Sequence, residues 1–127
     1  MIFLKENDLI ICKDKYNGHI DDFTVFARVA EVDRKKGIAF LDRYQKKGRF
    51  HYDSEANVKM SLNIIEDENS YYFKMTDEEV LMFCKGLEEM RKISQRNKEY
   101  KRTLEVVRNA ADSINSNNYW KSKLVET

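Results

Sequence analysis

The residues best suited to chemistry lie in one basic stretch, residues 34–49, where seven basic side chains stand against one acidic side chain. The flanking segments 1–33 and 50–84 each carry more acidic than basic residues, so this positive charge is local. Cations can neutralise phosphates and aromatic rings can stack on bases, as nucleic-acid and nucleotide binding require. The predicted ligand-binding residues are Arg34, Lys35, Lys36, Arg43, Tyr44, Lys46, Lys47, Arg49 and Phe50.

A second basic segment runs from Lys85 to Arg108, with eight basic against four acidic residues. If this segment is helical, part of its charge forms a secondary basic face: Arg91, Arg96, Lys98, Lys101, Arg102 and Arg108. Both segments also have a purely structural interpretation. Lysines at hairpin ends keep edge strands from pairing with other chains, and charged helix faces are commonly solvated.

Catalytic and metal-binding patterns are absent from the sequence. Two cysteines and two histidines, Cys12, Cys84, His19 and His51, are too far apart in the chain for any pair to have zinc-ligand spacing. Cys12 and Cys84 lie in apolar contexts, typical of reduced core cysteines. No phosphate-binding glycine loop or nucleophile motif occurs, and either histidine as a general base has no nucleophile beside it. We therefore predict no catalytic residues, no metal and no cofactor.

A long helical stretch, Thr76 to Ile114, must position the second basic segment. It opens with the capping box Thr76-Asp77-Glu78-Glu79 and continues with an apolar stripe that lapses over 94–98. One straight helix of this length would extend roughly 58 Å, beyond a domain roughly 36 Å across. The halves therefore form a helical hairpin, or a long arm packs on a second protomer. The predicted oligomer interface is Tyr100, Leu104, Val107, Ala111 and Ile114.

Residues 1–75 are rich in β signals. Short alternating or β-branched runs, separated by turn residues, predict four or five antiparallel strands. These runs are Leu9–Cys12, Phe23–Val32, Ile38–Leu41, Asn57–Ile65 and Tyr71–Met75. Strands followed by helices predict an α+β protein, with a small antiparallel sheet or partly open barrel followed by two helical segments. The predicted divisions are a β domain at 1–75, helices at 76–115 and a tail at 116–127.

Two of these runs, residues 7–11 and 27–33, carry a resemblance to a known architecture. Asn7-Asp8-Leu9-Ile10-Ile11 and Ala27-Arg28-Val29-Ala30-Glu31-Val32-Asp33 resemble the opening of an SH3-like barrel of the Tudor or KOW type. The resemblance covers about a quarter of the chain. It implies a β architecture and assigns no functional residue, because folds of this kind host many functions.

The composition limits the classes of protein to which this chain can belong. The chain has 127 residues, 35% of them charged, and a net charge of +1, so overall charge selects no partner. No apolar run is long enough to span a membrane, and we expect a cytoplasmic protein. The lack of proline with abundant Lys, Glu, Asn and Ile is a habit of AT-rich bacteria and their phages.

We therefore expect a non-enzymatic, oligomeric binding protein that engages nucleic acid or a phosphate-bearing nucleotide, such as a signalling nucleotide. The alternative is a phage-type inhibitor or adaptor that docks on a protein through its C-terminal helix.

Overall fold

A computed structural model describes residues 3–13, 24–46, 52–91 and 98–126, with side chains except at 91, 98–99 and 117–126. The described residues form five strands and three helices, in the order β1 Leu9–Cys12, β2 Val25–Asp33, β3 Ile38–Lys46, β4 Tyr52–Ser61, α1 Leu62–Ile65, β5 Tyr72–Lys74, α2 Asp77–Arg91 and α3 Lys98–Glu126. The predicted α+β class, a sheet followed by C-terminal helices, is confirmed. None of the described helices is long and apolar enough to cross a membrane.

The five strands form one antiparallel sheet in the order β4-β3-β2-β1-β5. The segments that carry the resemblance to an SH3-like barrel are neighbours in it, with Leu9 paired to Arg28 and Ile10 to Ala27. The sheet is curled, because the Tyr72 hydroxyl of edge strand β5 reaches the Met60 sulfur of edge strand β4 at 3.5 Å. The fold is thus an open, curled sheet followed by helices.

Each face of the sheet has its own apolar core. On the helix face, Ile11, Phe26, Tyr44 and Tyr52 pack against side chains of α2 and α3. On the opposite face, which we call the inner face, the core consists of Leu4, Ile10, Ala27, Val29, Ala39, Leu41, Leu62 and Ile65. Strand alternation produces this division, because neighbours such as Ile10 and Ile11 point to opposite faces and both are fully buried.

Strands β3 and β4 differ most from the sequence prediction. Strand β3 continues past Leu41 to Lys46, because alternate residues there are still buried on one face or the other. The predicted strand Asn57–Ile65 instead divides into the end of β4 and the short helix α1. Leu62 and Ile65 are both buried whereas Ile64 is 61% exposed, which is a helical spacing rather than an alternating one.

The capping box at the start of α2 is present. The Thr76 hydroxyl accepts a hydrogen bond from the Glu79 amide at 3.2 Å, and the Glu79 carboxylate accepts one from the Thr76 amide at 2.9 Å. Two backbone donors at the start of the helix, those of Thr76 and Glu79, are thereby satisfied.

Helices α2 and α3 form an antiparallel hairpin. The Tyr100 hydroxyl donates to the Leu87 carbonyl, and Arg108 Nε lies 2.5 Å from Glu88 Oε1. Helix α3 continues to Glu126, so residues 116–126, predicted as a tail, have helical backbone.

The predicted oligomer interface lies inside the single chain. Its members Tyr100, Leu104, Val107 and Ala111 are at most 6% exposed, and Ile114 packs at the edge of the same cluster. The hairpin turns their stripe back onto the sheet and α2, so the surface expected to need a second protomer is covered by the chain's own residues.

Candidate functional site

The described part of the basic segment divides between two ends of the sheet. Arg34, Lys35 and Lys36 lie in the turn between β2 and β3, whereas Lys46 ends β3. Strand β3 has nine residues, so at about 3.4 Å per residue its ends are roughly 27 Å apart. The described cations therefore do not form one patch. Lys47, Arg49 and Phe50 lie outside the described residues.

Arg34 is engaged in holding the turn to the N-terminal segment. Its guanidinium contacts Glu66 at 3.0 Å, donates to the Leu4 carbonyl at 2.8 Å and lies 3.7 Å from the centre of the Phe3 ring. The hydrogen bond from Arg34 lowers the pKa of the Glu66 carboxyl. These contacts give Arg34 a structural role.

Tyr44 is a core residue in the structure, 2% exposed. Its ring lies against Phe83 and Tyr100, with centroids 5.5 and 6.5 Å away. Burial raises its pKa to about 12. The ring therefore has no free face for a base, contrary to the sequence-based expectation. The reason is strand alternation, which places Tyr44 on the helix face and its neighbour Arg43 on the inner face.

Arg43 differs from Arg28, Arg34 and Arg108 because one buried nitrogen of its guanidinium lacks a hydrogen-bond partner among the described residues. It is half-buried, and its Nε is buried with no hydrogen-bond partner in the part of the chain that the structure describes. Its cross-strand partners are Ala27 on β2, which is buried, and Glu55 on β4, which is exposed. The guanidinium interacts electrostatically with Cys12 and Tyr72, across the inner face. We call Arg43, Cys12 and Tyr72 the Arg43 site.

The neighbours of Arg43 in this site are neutral. Burial raises the pKa of the Cys12 thiol, although the Arg43 charge and a hydrogen bond with Tyr72 act in the opposite direction. Burial also raises the pKa of the Tyr72 hydroxyl. Both groups therefore stay protonated at neutral pH. Neither supplies a negative charge to pair with the guanidinium.

Arg28, in the same sheet, is a buried arginine in which each guanidinium nitrogen has a hydrogen-bond partner. It is 2% exposed and donates to Asp42 at 2.5 Å, to the Thr103 hydroxyl at 3.1 Å and to the Asn7 side chain at 3.0 Å. The other Asp42 oxygen accepts the amide of Asn57 at 3.0 Å. This network links β2, β3 and β4 to α3. The role of Arg28 is therefore structural.

The secondary basic face is only partly a cationic surface. Lys101 and Arg102 are exposed on α3, whereas Arg108 makes a two-bond pair with Glu88 at 2.5 and 2.9 Å. Arg96 lies outside the described residues, as do the side chains of Arg91 and Lys98.

Sequence reasoning included Arg43 in the site but missed both of its neighbours. Cys12 was expected as a core residue and Tyr72 as part of an ordinary strand. The sequence carried only a weak signal for these two residues. Cys12 of β1 pairs with Tyr72 of β5, and only the register of the sheet brings Arg43 near them. In the described residues, no group of three His, Cys, Asp or Glu side chains could hold a metal ion.

Comparison with known proteins identifies no relative: no family model, no curated protein and no solved structure matches this chain. The fold and the Arg43 site therefore carry the functional argument.

Proposed function

We propose that this chain is a non-enzymatic binding protein that holds a phosphate-bearing ligand, a nucleotide or a short nucleic-acid strand, with Arg43 as its anchor. The observation that carries the proposal is the buried Arg43 Nε, which has no hydrogen-bond partner among the described residues. A buried donor without a partner costs about 1–3 kcal/mol, and more when it is charged. A ligand oxygen that accepts this hydrogen bond would recover that cost.

Phosphate is the group that suits this arrangement. The guanidinium is a rigid fork of donors that matches the oxygens of phosphate or carboxylate two at a time. The neutral Cys12 and Tyr72 do not repel an anion, and the Tyr72 hydroxyl is a further polar contact.

The separation of the basic residues favours a compact ligand over a duplex. A duplex presents phosphates in a continuous row and is held by several cations together. Here Arg34 is engaged with Glu66, and its turn lies at the far end of β3. A nucleotide needs only one or two cations and can be gripped at a single end of the sheet.

The alternative function, docking on a protein through the C-terminal helix, has less support in the structure. Its apolar stripe, from Tyr100 to Ala111, is buried against the sheet and α2. An exposed apolar stripe would have favoured this function.

The test is a titration of fluorescent mononucleotides, cyclic dinucleotides and short single strands at low salt. Arg43→Gln removes the charge and the fork, so we expect affinity to fall at least tenfold. Arg43→Lys keeps the charge but not the fork and should recover only part of the affinity. Arg34→Gln is the matched control, because its guanidinium is held by Glu66; its affinity should stay within twofold of wild type.

Salt dependence tests the number of phosphate contacts. With one or two cations on phosphates, log K against log salt should have a slope between about −0.7 and −1.8. Circular dichroism must show that the Arg43 variants are folded. Absence of binding to every probe, or equal binding by Arg43→Gln, contradicts the proposed function.

A further inference from the structure

Among the described strands, β5 is an edge of the sheet with one hydrogen-bonded neighbour, β1. The Lys13 amide donates to the Tyr71 carbonyl at 3.2 Å, and the Met75 amide donates to the Leu9 carbonyl at 3.1 Å. In an antiparallel ladder, hydrogen-bonded pairs alternate with non-hydrogen-bonded pairs. These two bonds therefore place Tyr72 and Lys74 in non-hydrogen-bonded pairs with β1. The backbone groups of Tyr72 and Lys74 therefore face outward, away from the sheet.

Three of those outward groups are available to an added strand. The Tyr72 amide donates to the Ser70 hydroxyl at 3.3 Å. The Lys74 amide, the Lys74 carbonyl and the Tyr72 carbonyl have no partner in the part of the chain that the structure describes. Residues two apart on a strand point their groups the same way. An extended peptide can therefore accept one hydrogen bond from this edge and donate two to it.

A groove of about 520 Å³ lies beside this edge, lined by Phe3, Asp67, Glu68, Ser70, Tyr72, Phe73 and Lys74. Phe3 is 64% exposed, and Arg34 lies against its ring. Two carboxylates, Asp67 and Glu68, stand against one amine, Lys74, which lies 3.8 Å from Asp8. The lining of the groove is thus partly apolar and partly acidic.

We propose that the β5 edge and its groove bind an extended segment of a partner protein in which apolar and basic residues alternate. Backbone hydrogen bonds to Tyr72 and Lys74 supply the strand pairing, as in other strand-addition complexes. Apolar side chains pack on Phe3, and lysine or arginine side chains meet Glu68 and Asp67. This interaction uses the backbone of Tyr72, whereas the Arg43 site uses its side chain, and Arg43 does not line the groove.

A second copy of this chain fits the edge less well, for reasons of charge. Pairing β5 with β5 brings two acidic grooves together. Pairing β5 with β4 brings the exposed carboxylates Asp53 and Glu55 to the groove. Like charges placed opposite each other destabilise strand pairs.

The test uses a fluorescent ten-residue peptide of alternating lysine and valine, measured by fluorescence anisotropy. Lys74→Pro removes the outward amide and leaves the β1 ladder intact, as edge strands tolerate. We expect it to weaken binding at least tenfold. Lys74→Ala, the matched control, removes the amine but keeps the amide, and its affinity should equal or exceed that of wild type. Glu68→Lys should weaken binding at least fivefold.

Further controls define the result. Thermal unfolding must show that Lys74→Pro is folded, and Arg43→Gln should bind the peptide as wild type does. A peptide of alternating glutamate and valine should not bind. The proposal is overturned if the basic peptide does not bind, or if folded Lys74→Pro binds it normally. It is also overturned if light scattering shows a wild-type dimer that Lys74→Pro dissociates, because a second copy then fills the edge.

Discussion

At the scale of single residues, the arginines of this chain differ in how their charge is satisfied. Arg28 is buried and fully bonded, Arg34 and Arg108 are paired near the surface, and Arg43 is half-buried without a partner for its Nε in the described chain. Burial with a partner indicates a structural role. Burial without one is costly unless a ligand compensates, which is why Arg43 carries the proposed function.

The Arg28–Asp42 pair yields a stability prediction. Asp42→Asn keeps the shape of the side chain but leaves the buried Arg28 charge uncompensated. We expect a loss of about 3–5 kcal/mol in the free energy of unfolding. Urea denaturation measures it.

The matched control is Glu88→Gln, which neutralises the partner of Arg108 in a pair whose side chains are 39% and 40% exposed. It should cost no more than about 1 kcal/mol. If the two variants lose the same stability, the Arg28–Asp42 pair is not the buried anchor described above.

At the scale of elements, α2 approaches the sheet closely at Gly86. A Cβ built there would lie 2.6 Å from Tyr52 Cε2 and 2.8 Å from its Cζ, closer than real contacts allow. Tyr52 is 4% exposed and packs against Phe26 and Phe83, so it has little room to yield. Glycine is present in this helix because the sheet passes so near.

Gly86→Ala therefore tests the packing of α2. At an ordinary helix position this change gains up to about 1 kcal/mol, whereas here we expect a loss of about 1–3 kcal/mol from overpacking. Tyr52→Phe removes the hydroxyl nearest to the added methyl. In the double variant it should restore part of the lost stability, measured by thermal unfolding as a double-mutant cycle. A stabilising Gly86→Ala contradicts this packing.

At the scale of the whole molecule, the helical hairpin covers one face of the sheet and uses the apolar stripe of α3 to do so. This stripe was the sequence-based candidate for self-association. Because the stripe is buried within one chain, we expect a charge placed there to destabilise the fold rather than to weaken association between protomers.

Val107→Asp tests this arrangement. Val107 is fully buried, so an unpaired carboxylate there costs several kcal/mol and we expect loss of the folded state by circular dichroism. Lys101→Asp, on the exposed side of the same helix, should fold normally. A folded Val107→Asp protein of lower mass by light scattering would show instead that the stripe joins protomers.

Much of the fold could be predicted because it depends on local patterns. The capping box at Thr76, the glycine at the β2–β3 turn, where Gly37 has a φ of 68°, and the alternation in the strands act within a few residues of the chain. Such signals predict the type and order of elements, and hence the α+β class. The end of β4 was mistaken for a longer strand because Leu62 and Ile64 also alternate.

What the sequence by itself determined is therefore most of the elements, their order and the local excess of positive charge. The tertiary structure alone decided which faces meet. It buried Tyr44, left Arg43 half-buried, and paired Arg28 with Asp42 rather than with a ligand. It also covered the stripe of α3 with its own sheet. Contacts between residues distant in the chain depend on sheet register and helix placement, which no local pattern encodes.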